Sequence, residues 1–303
     1  MITILRRRLD RIRLFRSYAT FIEKKEFLSA MVALQNHAAD WGMKKKLSKH
    51  CTTFSKSFGE GATTTSVAIK FFPVNVQSGI AVDFTPSKLT QEEWSHFRDI
   101  LKTIFAKEVH QILSDFKLTR IEIAMDVEVP FDEMLCIAPR IATENLNYLK
   151  KGTRYLGQKG GMRTFCIYDK RKQLAEKAKV DLGHDLTRIE VRLRRSGKSL
   201  AEIATIQKPF GKFIAVRRAA LSKICDKFPD DPVLQAFASS VVDGGSAQEA
   251  YLKFSKHYRK HLLKLLAPCS LRLNGKDEAW GAWISQQSSQ VLSNFSGTEH
   301  QCN

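Results

Sequence analysis

Leu118-Thr119-Arg120-Ile121-Glu122-Ile123-Ala124-Met125-Asp126 is the stretch on which the fold turns. Successive side chains of a strand point to opposite faces, so Ile121, Ile123 and Met125 line one side and Arg120, Glu122 and Asp126 the other. One face belongs to a core and the other is loaded with charge. The same five residues, Leu-Thr-Arg-Ile-Glu, return at Leu186 to Glu190 and continue as Val191-Arg192-Leu193-Arg194. Arg188, Glu190, Arg192 and Arg194 then alternate with Ile189, Val191 and Leu193. Two strands in equivalent phase suggest an internal duplication, each half supplying a strand and a helix to one sheet.

Working outward, Ser66 to Phe72 and Gly79 to Phe84 are short, rich in Val, Ile and Phe, and closed by Pro73 and Pro86, as strands are. Thr90 and Glu93 stand in the spacing of a capping box, and Trp94, Phe97, Leu101, Ile104 and Phe105 follow at helical intervals. A second helix is expected from Tyr18 to about Lys46, and a third near Phe131 to Lys150. Thr153 to Gly157 and Met162 to Tyr168 read as a hairpin whose turn is supplied by glycines, followed by a charged helix over Asp169 to Lys179. From Ser199 onward the pattern is helical and basic. The expected fold is α+β, with a central, largely antiparallel sheet built from two strand-helix halves and a helical C-terminal region. The expected organisation is a basic helical N-terminal region over 1–60, a catalytic α+β domain over 61–200, a helical basic region over 201–286 and a disordered tail over 287–303.

The 303 residues carry 49 Lys and Arg against 31 Asp and Glu, a formal net charge of +18. Such an excess attracts a polyanion, because each neutralised phosphate releases condensed counterions. With 43% hydrophobic residues and 19 Phe, the chain has the material for a folded core and is no solvated basic tail. The Arg-rich start, Leu5 to Arg16, reads as a basic arm or first helix at phosphate, or else as a solvated charged face. Six cysteines are scattered singly with no CxxC, which points to reduced thiols in the cytoplasm. No apolar run approaches a membrane span, so no membrane partner is expected. A Walker A loop is absent, as is a pair of histidines separated by one apolar residue, the metal motif of one class of nicking enzymes.

Taken alone, the paired Arg and Glu positions are as well explained by a structural salt-bridge ladder. Their company changes the balance. Tyr168 is followed at once by Asp169 and Lys170, which places a nucleophile, an acid and a cation within three positions. A phenol titrates near 10 and needs help to attack phosphorus at neutral pH. Mg2+ or Mn2+ held by Glu122, Glu190 and Asp169 would supply that help, with Lys170 and Arg188 stabilising the transition state. Glu122 and Asp126 lie about 13 Å apart on an extended strand, so they cannot share one ion. Asp126 is therefore a second choice of ligand, and Tyr155 the rival nucleophile. The expected DNA contacts are Arg120, Arg154, Lys159, Arg163, Arg192, Arg194, Lys260 and Lys264.

The succession Thr119 to Asp126, then Tyr155-Leu156-Gly157, then Ile167-Tyr168-Asp169-Lys170, then Thr187 to Arg192 resembles the replication initiation factor family. Members of that family start rolling-circle replication of small plasmids and filamentous phages. The resemblance covers about residues 65 to 270, with the four motifs in the family's order. It implies an origin-specific DNA nickase and ligase that works through a 5′-phosphotyrosine on Tyr168 with a divalent cation, with the acidic positions matching Glu122, Asp169 and Glu190. It further implies a hairpin-bearing replication origin as the DNA target, a host helicase as partner, and compatibility with a homodimer. One departure stands out: the family often carries a Glu shortly after the motif's Lys, whereas Lys170 is followed by Arg171, Lys172 and Gln173. The competing readings are a DNA-binding regulator without cleavage and an RNA-binding protein.

Overall fold

The computed structural model describes residues 4–18, 20–57, 66–72, 79–141, 147–150, 152–158, 160–194, 197–206, 208–242, 245–271 and 277–297. In chain order the elements begin with β1 (Ile4–Ser17), α1 (Phe21–His37), β2 (Lys44–Leu47), β3 (Thr52–Lys56), β4 (Val67–Phe72), β5 (Gly79–Phe84), α2 (Gln91–Phe105) and α3 (Val109–Asp115). They continue with β6 (Lys117–Val127), β7 (Met134–Ile137), β8 (Asn147–Lys150), β9 (Thr153–Leu156), β10 (Arg163–Asp169), α4 (Lys170–Ala178) and β11 (Thr187–Arg194). The last part holds β12 (Ile214–Arg217), α5 (Arg218–Lys227), α6 (Pro232–Val242), α7 (Ala247–Leu252), α8 (Lys256–Leu266) and α9 (Asp277–Ser296). The α+β class, a large antiparallel sheet and C-terminal helices are all present. Among the described residues no helix is long and apolar enough to cross a membrane.

The chain forms two compact units, and β1, β6 and β11 each contribute to both. One unit comprises Leu9–Glu122, Leu193–Gln207 and Glu278–Asn303. Its strands follow the hydrogen-bonded order β2-β3-β4-β5-β1-β6, and β1 to β5 pair antiparallel wherever their register is defined. Val67, Ile69 and Phe71 of β4 are buried, with the Phe71 ring edge-on to those of Phe27 and Phe54. Phe84, Trp94, Phe97 and Phe295 form an aromatic cluster that joins β5 to α2 and α9. The capping box at Thr90 is made as its spacing predicts: Thr90 accepts from the Glu93 backbone N–H, and the Glu93 carboxylate accepts from that of Thr90. α2 then buries Trp94, Phe97, Ile100, Leu101 and Ile104.

The other unit comprises Met1–Arg8, Ile123–Arg192 and Lys208–Asp277. Its strands follow the order β1-β6-β11-β10-β9-β8, with β7 and β12 in a separate antiparallel pair. Leu135, Ile137, Ile214 and Val216 of that pair share a core with Leu221, Leu234, Phe237 and Leu262 from the helices that follow.

Four expectations are corrected. The Arg-rich start is a strand in the sheet, β1, and neither a basic arm nor a helix. Its arginines find carboxylates far along the chain, at Asp83 and Asp126, which a local reading of charge cannot see. The helix expected from Tyr18 to Lys46 ends at His37, and Lys44–Leu47 and Thr52–Lys56 form a hairpin. The helix expected over Phe131 to Lys150 is absent among its described residues. A 3-10 turn, Phe131–Glu133, leads there into β7, whose partner β12 lies in the stretch read as helical. The polar end, read as disordered from Gln287, is helical to Ser296, with Trp280, Ile284, Ser288, Val291 and Phe295 buried at helical spacing.

Candidate functional site

β10, β11 and the Ile123–Val127 part of β6 bring the singled-out residues to one strand group. In β11 the residues Arg188 and Glu190 are buried, 3% and 4% exposed, together with Thr187, Ile189 and Val191. The strand is thus covered on both faces, and its charged set needs internal partners. Glu190 has two. Its Oε1 accepts the hydroxyl of Tyr168 at 2.7 Å, and its Oε2 accepts from Arg192 at 3.0 Å. Arg188 makes a two-pronged ion pair with Asp126, at 2.5 and 2.9 Å, and Asp126 Oδ2 also takes Arg8 at 2.7 Å. Burial opposes ionisation of Asp126, but the Arg188 and Arg8 guanidiniums outweigh it and hold the carboxyl below the usual carboxylate range.

Tyr168 is itself 8% exposed and lies near the end of β10, where Asp169 stops the strand and starts α4. Asp169 does so as the N-cap: its Oδ1 accepts the Lys172 backbone N–H at 2.8 Å. Lys170 stands with its Nζ 6.0 Å from the centre of the Tyr168 ring and donates to Gln173. Tyr155, the rival, pairs with Cys166 across the hairpin, is half-buried, and carries Arg192 at 6.0 Å from its ring. The hairpin itself forms as its glycine turn predicts, with Tyr168 opposite Thr153.

The divalent-cation expectation meets a different chemistry. Asp169 is spent on the helix cap, Glu190 on Tyr168 and Arg192, and Glu122 forms an ion pair with Arg120. Among the described residues no three His, Cys, Asp or Glu side chains group as a metal ion requires. The acids present therefore do not fit a metal centre as arranged, and no catalytic step is routed through one.

The expected DNA contacts scatter. Lys260 and Lys264 are exposed one turn apart on α8. Arg154 donates to the Met134 carbonyl and lies over the Phe131 ring. Arg163 is half-buried, and burial with Arg140 nearby lowers its pKa. Arg120 and Arg194 are half-buried, and Lys159 lies outside the described residues. Sequence reasoning missed Arg8, whose partner Asp126 is 118 positions away. The alternation of Ile12 and Leu14 with Arg11 and Arg13 was the signal available for placing the segment on a strand.

No protein-family model matches the chain, and no curated protein matches it. Among solved structures it is similar to a rolling circle replication initiator protein from Geobacillus stearothermophilus. That likeness covers 63% of this chain and 75% of the other, at 13% identity and a TM-score of 0.33. At that level it assigns no residue a role.

Proposed function

We propose that this protein nicks and rejoins DNA to start rolling-circle replication, with Tyr168 as the nucleophile. The observation that carries the reading is the 2.7 Å hydrogen bond from the Tyr168 hydroxyl to Glu190. A carboxylate at that distance is placed to take the phenol proton as the oxygen attacks phosphorus. The new bond joins Tyr168 Oη to the phosphate, the bond to the 3′-oxygen breaks, and that oxygen leaves with a proton from water. Reversal by a 3′-hydroxyl reseals the strand and returns the proton to Tyr168. Lys170 beside the ring and Arg192, whose side chain is 24% exposed, are the cations placed to meet the phosphoryl oxygens. Arg188, held by Asp126 on the same strand face, keeps positive charge beside Glu190. The basic excess of the chain and the order of its four motifs support an origin as the target, with a hairpin, a host helicase and a homodimer as parts of the same reading.

A second reading has its own observation. Tyr168 is 8% exposed and each buried acid already has a cation, as in a salt-bridge ladder inside a DNA-binding protein that does not cleave. One experiment separates the two. Supercoiled plasmid carrying a candidate hairpin origin is incubated with the protein, in Mg2+ or Mn2+ and in chelator. The nickase reading expects relaxed product and a covalent DNA adduct whose peptide maps to Tyr168, and expects both to vanish in Tyr168→Phe. Band shifts with no adduct under any condition would leave only the binding protein.

A further inference from the structure

The unit that holds β2 to β5 carries a cationic sheet face remote in sequence from Tyr168. Asp83 of β5 is buried, its side chain 1% exposed, and is ringed by Arg11, Arg13 and Lys70 at 3.0, 2.5 and 3.1 Å. Those three side chains keep 34%, 29% and 21% of their surface in solvent. Three cations thus gather on this one carboxylate. Burial alone would raise the Asp83 pKa, so the guanidiniums that hold it far below the usual range also fix its charge, and the cluster's, across working pH.

The register extends this cluster into a field. Lys44, Ser55, Ala68, Asp83 and Arg13 lie opposite one another on successive strands, and Lys46, Thr53, Lys70, Ala81 and Phe15 form the next row on the same face. Neither row contains an acid other than Asp83, and every β2 residue is exposed. Four strand steps span roughly 19 Å. At one end Phe15 meets the ring of Phe72 at 6.0 Å, edge to face. The Phe15 ring lies across Gly79, where a Cβ would sit 2.2 Å from it, so glycine is what lets the aromatic pair seat on the sheet.

We infer that this face binds a single strand of nucleic acid, the phosphates on the lysine and arginine rows and a base against the Phe15 and Phe72 rings. Cations in successive rows on a sheet face, small side chains between them and an aromatic pair near the strand ends are what a single strand requires, since phosphates repeat and every base has a face to stack. The inference shares its partner class with the proposed function but not its chemistry.

The test is fluorescence anisotropy with a labelled 16-residue oligo-dT across a salt series. Lys44→Gln with Lys46→Gln removes two exposed charges and leaves the pairing of Asp83 intact. Affinity is expected to fall about five- to tenfold at 0.1 M salt, and the slope of log K against log salt to flatten by about 1.4, roughly 0.7 per lost phosphate contact. Phe72→Leu is expected to weaken binding severalfold without changing the slope, because it removes a stacking surface and no charge. Unchanged affinity and slope in the lysine variant overturn the inference. So does a loss confined to a duplex of the same length, or to phosphatidylserine vesicles. Failure of the parent protein to nick supercoiled plasmid, with these shifts intact, sinks the proposed function and leaves this face standing.

Discussion

The hydroxyl of Tyr168 lies 2.7 Å from Oε1 of Glu190, and the other oxygen of that carboxylate is held by Arg192. The carboxylate is thereby fixed in orientation as well as in position.

Glu190→Gln keeps an acceptor for the Tyr168 hydroxyl and removes the base. Cleavage of a supercoiled origin plasmid should fall by about 10²- to 10⁴-fold. Binding of the same DNA should change less than about twofold. Equal losses in a cleavage assay and an anisotropy titration would show Glu190 to be a structural partner of Arg192 only.

Asp126→Ala strips a buried carboxylate from Arg188, whose side chain is 4% exposed, and from Arg8. Breaking a buried ion pair by removing one partner costs about 3–5 kcal/mol, to be read as a lowered midpoint in urea unfolding. Pairing Asp126→Ala with Arg188→Met should recover part of that loss, because the stranded charge is gone.

Asp83 and Asp126 both have folded-state pKa values below that of an unfolded aspartate, which titrates near 3.9. The sign follows from proton counts. Below about pH 4 the unfolded chain binds protons that the folded chain does not, so the stability these groups contribute is full above that pH and is lost as pH falls toward their folded values. Unfolding free energy measured from pH 6 down to pH 2 should therefore fall steeply below about 4. Asp83→Asn should flatten that limb, and an equally steep limb in the variant would assign the effect elsewhere.

Lys260 and Lys264 are exposed one turn apart on α8. Replacing both by Gln should weaken duplex binding for any sequence alike and reduce the salt slope by about 1.8, near 0.9 per phosphate contact. A slope equal to that of the parent would remove α8 from the interface.

The strands β5, β6, β10 and β11 and the helix α2 were legible because their signals are local. The Gly79 to Phe84 run, the capping box at Thr90, the alternation around Ile121 and the repeat at Leu186 each lie within a few residues. β1 was not legible, because Arg8, Arg11 and Arg13 balance against carboxylates 70 or more positions away and without those partners look like a solvated arm. β7 was lost for a related reason. Four apolar residues suit a helix as well as a strand, and only pairing with β12 settles the matter. α9 was hidden by its polar composition, since its buried face becomes visible only when Phe295 meets Phe84 and Trp94.

From its order of residues alone this protein had its class, its charge and the short list on which Tyr168 and Glu190 stood. Periodicity and capping act over one turn or one pleat, and net charge needs no geometry at all. Only the tertiary structure decided that Glu190 turns to the phenol, that Asp169 caps a helix, and that Asp126 and Asp83 gather arginines from the far end of the chain. A carboxylate's role depends on which groups surround it once water has been excluded, and in this chain many of those groups arrive from distant strands.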